Sequence, residues 1–99
     1  MVNVISRRTL KEFAAAYAGA GEELDEWFTI ARRAHWRSLL DVRQAFGDAD
    51  QFRSLLIFNI RHNAYRLIVK VDYRSKLLMV KALLTHKEYD RGEWKRWAR

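Results

Sequence analysis

A chain of 99 residues, 49% hydrophobic and 31% charged, has the composition of a globular domain with one modest core and not of a disordered segment. The absence of cysteine excludes a disulfide framework and a thiolate metal site, and favours a reducing compartment. The net charge of +7 is lopsided, with seven Lys and Arg against eight Asp and Glu in residues 1–50 but twelve against four in residues 51–99.

In chain order, residues 2–5 are a short apolar run that suits an edge strand. Ser6 reads as the N-cap of a helix with Leu10, Phe13, Ala14 and Tyr17 at i, i+3, i+4 and i+7. Gly19 and Gly21 are expected to stop it. A second helix opens on Glu22, Glu23, Asp25 and Glu26 and closes on Arg32 and Arg33, which complements its dipole. Its apolar stripe is Leu24, Trp27, Phe28 and Ala31. The two helices make an αα-hairpin that needs a sheet to cover, and the acidic first turn reads as a solvated helix end.

Residues 38–46 suggest a short third helix, with Ser38 as N-cap and Asp41 in the capping-box position. Residues 47–50 form a turn. Residues 52–60, apolar on parts of both faces, read as one central strand. Arg61, His62 and Asn63 make a hairpin turn, with Asn63 best suited to positive φ. A strand over 65–73 and another over 77–84 follow, separated by a turn at 74–76. The fold class is therefore α+β, in which an N-terminal strand and an αα-hairpin pack on a small antiparallel sheet, with residues 1–99 as a single domain.

In the 65–73 strand, Tyr65, Leu67, Val69, Val71 and Tyr73 share one face, and Arg66, Ile68, Lys70 and Asp72 share the other. Burying the first set lines Arg66 and Lys70 up on the opposite face. The charge excess lies in this half and points to a polyanion partner, most often nucleic acid. No apolar run approaches the ~20 residues that span a bilayer. The N-terminus lacks a signal peptide's apolar centre, so a cytoplasmic protein without a membrane partner is expected. No spacing resembles a metal site and no glycine loop suits a nucleotide cofactor.

Four blocks carry a family resemblance: Val2-Asn3-Val4-Ile5-Ser6, Trp36-(x)4-Asp41-Val42, Phe58-Asn59-Ile60-x-x-Asn63-x-Tyr65-Arg66-Leu67 and Thr85-His86-x-Glu88-Tyr89-Asp90. Together they resemble the HigB family of toxins over residues 2 to about 91. The resemblance implies a RelE/ParE-like fold and the toxin of a type II toxin–antitoxin system. Such a toxin is an mRNA interferase that cleaves messenger RNA on the ribosome and is silenced by a HigA-like helix-turn-helix antitoxin. The chain departs from the family at Arg61-His62, at Leu39, and in a basic, aromatic tail at 92–99.

Metal-free RNA cleavage by the 2′-OH needs a base, cations for the crowded phosphorane and an acid for the leaving oxygen. Arg66 suits the phosphate as a two-pronged cation. His86 suits proton transfer near neutral pH. Tyr89 can hydrogen-bond the phosphate or stack on a base, and Lys87 can hold phosphate or lower a neighbouring pKa. Arg61, His62, Asn63, Lys70, Arg74 and Lys81 make up the expected RNA-binding set. A plainer alternative stands beside each role: Arg66 and Lys70 as solvent-facing strand residues, His86 and Asp90 as turn or helix caps, Tyr89 as packing. Two other classes also remain open, a non-catalytic ParE-like toxin that occupies a protein target and a plain nucleic-acid-binding module.

Overall fold

The computed structural model describes every residue except Val2, Ser6, Ala18, Asn63 and Arg99, and for Asn3 and Ile5 it describes the backbone alone. The expected Ser6 cap and the Asn63 contributions lie outside the described residues. The elements run β1 (Asn3–Ile5), α1 (Arg7–Ala16), α2 (Gly21–Arg33), α3 (Leu39–Ala45), β2 (Asp50–Phe52), β3 (Leu55–Ile60), β4 (Tyr65–Asp72), β5 (Leu77–Thr85) and α4 (His86–Arg91), with a final 3-10 helix at Glu93–Trp97. This is the expected α+β arrangement. The described strands form one sheet in the order β1-β5-β4-β3-β2. β2 to β5 are antiparallel neighbours, and β1 runs parallel to β5.

Leu10 of α1, Leu24, Trp27 and Ala31 of α2, and Val42 of α3 meet the sheet face formed by Leu56, Phe58, Ile60, Leu67, Val69, Val71, Leu78, Val80 and Leu83. Phe58 lies at its centre, with Trp27, Trp36 and Phe46 rings 5.4, 6.1 and 5.1 Å away. The other face has a second, smaller core. There Leu55, Ile57 and Ile68 are covered by Trp94 and Ala98. The basic tail is thus packed onto the sheet.

Several local expectations are corrected. The 52–60 run divides at Arg53-Ser54, where Arg53 takes φ 52° and Phe52 pairs with Leu55. That makes a tight hairpin and adds a strand, although the turn carries none of the usual glycine or asparagine signal. Gly21 opens α2 instead of stopping α1; Gly19 makes the break at φ 79°. A methyl group at Gly19 would lie 2.0 Å from Arg61 Nη1, the far end of a flexible side chain that can move aside, so it is the left-handed φ that favours glycine here. Among the described residues of the β3–β4 turn, Arg61 (56°) and His62 (51°) take positive φ, while the Asn63 expectation lies outside the described residues. Ser38 makes no capping bond, and Asp41 Oδ2 accepts from the Arg37 N–H at 2.9 Å. The real capping box is at the start of α4.

Candidate active site

α4 follows β5 without a linker because Thr85 caps it. The Thr85 hydroxyl accepts the Glu88 N–H at 3.2 Å, and Glu88 Oε1 accepts the Thr85 N–H at 3.0 Å. Hydrogen bonds to the carboxylate from the Thr85 N–H first, and then from the Thr85 hydroxyl, hold the Glu88 carboxyl below its ordinary range. Gly92 ends the helix in the left-handed region at φ 74° and its N–H reaches back to Tyr89 O at 3.1 Å. Within α4, His86 and Asp90 are one turn apart and share a face. His86 Nδ1 lies 2.9 Å from Asp90 Oδ2. Asp90 is therefore a partner of His86 and not a helix cap.

Arg66 reaches the same place from β4. Tyr65 pairs with Thr85 and Arg66 with Leu84, so the start of β4 lies beside the start of α4. The Arg66 Cζ sits 5.3 Å from the centroid of the Tyr89 ring, and Nη1 donates to Tyr65 O at 3.4 Å. Tyr89 is half-buried. Burial first, then the charge of Asp50, push its phenol above the ordinary value; Arg66 opposes this and Asp90 adds to it. The phenol stays protonated through the neutral range and is a hydrogen-bond donor there. Trp94 stacks on the Tyr89 ring at 5.0 Å and an interplanar angle of 10°.

Arg66 and Tyr89 thus meet at one end of the sheet, and the His86–Asp90 pair and the exposed Lys87 are on the same short helix as Tyr89. The remaining RNA-binding candidates are spread out. Arg61 and His62 are at this end of the sheet but turned to the helical layer, where the Arg61 N–H donates to Glu23 Oε2 at 2.6 Å. They line a depression of about 400 Å³ with Gly19, Glu22, Glu23 and Glu26. Lys70 lies beyond Ile68, which is fully buried under the tail, so the expected continuous cationic face is interrupted.

The β4–β5 register jumps from Ile68↔Ala82 to Val69↔Val80, which bulges Lys81 out of β5. Lys81 and Lys70 then border one depression of about 310 Å³ with Asp72, Leu77 and Met79. Arg74, in the β4–β5 turn, is at the far end of β4 from Arg66, roughly 25 Å away at ~3.3 Å per residue. Sequence reasoning missed Asp90 as the partner of His86, which the i, i+4 spacing signals, and Trp94, which no periodicity marks. Among the described residues no group of three or more His, Cys, Asp or Glu is placed to hold a metal ion, and no helix is long and apolar enough to cross a membrane.

A sequence model of the HigB toxin family, described as the RelE-like toxic component of a toxin–antitoxin system, matches residues 20–92. That span contains Arg66, His86, Tyr89 and Asp90. The chain belongs to the HigB toxin family. It is 25% identical over 92 residues to the mRNA interferase toxin HigB of Escherichia coli strain K12, covering 90% of this chain and 88% of that protein. The mRNA interferase HigB of Shigella flexneri matches to the same extent. That of E. coli O6:H1 is 23% identical over 93 residues, covering 91% and 90%. As a member of this family the toxin has an antitoxin for a partner.

Proposed function

We propose that this HigB-family toxin is an mRNA interferase whose site is the Arg66–Tyr89–His86 end of the sheet. The observation that carries the reading is the convergence there of a guanidinium set over a phenol and an imidazole paired with a carboxylate. The 2′-oxygen attacks the adjacent phosphorus, the bond to the 5′-oxygen breaks, and a 2′,3′-cyclic phosphate and a 5′-hydroxyl result. One proton leaves the 2′-oxygen and one reaches the 5′-oxygen. His86 performs one of these transfers through Nε2, with Asp90 on Nδ1 selecting the tautomer. Arg66 neutralises the non-bridging oxygens, where charge accumulates. Tyr89, a neutral phenol, donates to a phosphate oxygen, and Lys87 adds a mobile positive charge.

The excess positive charge in residues 51–99 suits an RNA-rich setting such as the translating ribosome. In this reading the partner is a HigA-like helix-turn-helix antitoxin and the compartment is the cytoplasm. The test is cleavage of a defined mRNA by purified toxin, with and without ribosomes, followed by analysis of the product ends. Cyclic phosphate and 5′-hydroxyl ends are expected. Products with 5′-phosphates would replace 2′-OH attack by water attack. RNA or ribosomes bound but left intact would favour inhibition by occupancy.

A further inference from the structure

We propose that Trp94 is a positioning residue for this site, holding the Tyr89 ring against which the Arg66 guanidinium is set. The proposal rests on the roles given above to Arg66 and Tyr89, and it concerns a residue just beyond residues 20–92 that the family model matches. α4 has only six residues and buries none of them. A helix that short has little stability of its own. Tyr89 therefore depends on what α4 is packed against, and Trp94 supplies that packing. Its ring lies parallel to the Tyr89 ring at 5.0 Å, and its Nε1–H donates to Tyr89 O at 2.9 Å.

Trp94 is itself fixed. It is 4% exposed, and it sits in the second core with Leu55, Ile57 and Ile68. Phe52 meets its ring edge-on at 5.6 Å. Gly92, at φ 74°, reverses the chain so that Trp94 folds back onto the helix that precedes it. A rigid path thus runs from β3 and β4 through the indole to the phenol, and the guanidinium lies 5.3 Å from that phenol ring. The indole covers one face of the Tyr89 ring, and burial is the first cause that raises the Tyr89 phenol. Arg66 arrives from β4 directly, so loss of the indole loosens Tyr89 while leaving Arg66 on its strand.

The test compares Trp94→Ala, Trp94→Leu and Trp94→Phe with the parent in single-turnover cleavage, with melting measured alongside. Trp94→Leu keeps apolar volume without the flat ring, so a folded variant is available if the alanine variant unfolds. Misplacement of a catalytic group by about 1 Å costs up to ~10²-fold, and the Ala and Leu variants are expected to lose ~10-fold in the chemical rate with KM within ~2-fold. Isotope-labelled tyrosine NMR should show the Tyr89 phenol titrating closer to its ordinary value, with Asp50, Asp90 and Arg66 unchanged around it. Trp94→Phe, which keeps a ring for the stack, should recover most of both signals.

Phe52→Leu loosens the same core without removing the stack and controls for a general loss of stability. Equal rate loss in Phe52→Leu at matched stability would overturn the proposal, as would a folded Trp94→Leu cleaving at the parental rate while Tyr89→Ala does not. If Tyr89→Ala itself cleaves at the parental rate, the assignment of Tyr89 falls and the role of Trp94 falls with it.

Discussion

Replacing Asp90 by Asn separates a carboxylate that acts through His86 from one that merely decorates α4. The two side chains are 61% and 59% exposed where they meet at 2.9 Å. A pair this open to solvent contributes about 0–1 kcal/mol to stability. For a chain of this size the melting temperature should therefore fall by no more than ~4–8 °C. The effect on cleavage should be larger, because the carboxylate can only accept and so keeps the proton on Nδ1, leaving Nε2 for the substrate. An asparagine amide can donate as well as accept and removes that bias. A buried aspartate in this role is worth about 10⁴-fold. With solvent competing at an exposed pair, a loss of roughly 10- to 100-fold is expected. Deleting the imidazole in His86→Ala should cost ~10²–10⁴-fold. The assay is a double-mutant cycle on single-turnover cleavage of a defined mRNA fragment, with melting curves for each variant. Because Asp90 is assigned no role apart from His86, Asp90→Asn should cost nothing further in the His86→Ala background. Equal losses in both backgrounds, or no loss in the parent, would refute the pairing as a catalytic device.

Arg66→Lys keeps the charge but loses the planar fork that lies over Tyr89, so cleavage and growth arrest should weaken by ~10–100-fold with the fold intact, while Arg66→Ala should cost ~10²–10³-fold. Parental toxicity in folded Arg66→Ala would remove it from the site. Glu88, whose carboxyl is held low by Thr85, contributes stability that is present above the unfolded carboxylate's range and is lost as pH falls through the depressed folded value. Denaturant titrations across pH should show a shallower acid limb in Glu88→Gln, and an unchanged slope would contradict the capping box as its source. Cleavage should persist in excess EDTA when substrate integrity is controlled, since Arg66, Lys87 and Tyr89 are assigned the phosphate charge and His86 one of the two proton transfers; a divalent requirement in the chemical step itself would displace that assignment.

The helices and the two long strands are legible because their apolar residues recur at the period of the element they form. Leu24, Trp27 and Ala31 face the sheet as their spacing requires, and Leu67, Val69 and Val71 alternate inward. Legibility fails where a tertiary partner changes the meaning of a position. Ile68 reads as an outward residue between two cations, yet it is buried because Trp94 and Ala98 cover it. Lys81 interrupts an otherwise apolar run, and nothing else local announces that it bulges. The hairpin at Arg53-Ser54 places a side chain where positive φ is unfavourable, so turn chemistry gives no warning. For the site, Arg66, His86 and Tyr89 are grouped by the family blocks that contain them together with their residue types. Asp90 needed the helix that makes i and i+4 neighbours, and Trp94 needed the left-handed Gly92 that folds the tail back.

The division of the positive face makes binding and chemistry separable. Ile68, between Arg66 and Lys70 on this face, is buried beneath Trp94 and Ala98, so the tail lies between Arg66 on one side and Lys70 with Lys81 on the other. A phosphate at Arg66 cannot share that guanidinium's surroundings with the two lysines, so an RNA strand that uses both must pass over or around the tail. In the proposed reading Lys70 and Lys81 hold a phosphate remote from the scissile one, and their charge enters binding alone. For a single strand, each phosphate that a protein cation neutralises adds ~0.7 to the steepness with which log affinity falls against log salt. Lys70→Gln and Lys81→Gln should therefore raise KM at moderate salt and flatten its salt dependence by about that amount each, while the single-turnover rate at saturating RNA stays within ~3-fold of the parent. Arg66→Lys, which keeps the charge, should do the reverse, lowering the saturated rate with little change in salt slope. If the lysine variants lower the saturated rate as much as Arg66→Lys does, the tail does not divide the face and the two patches act as one site.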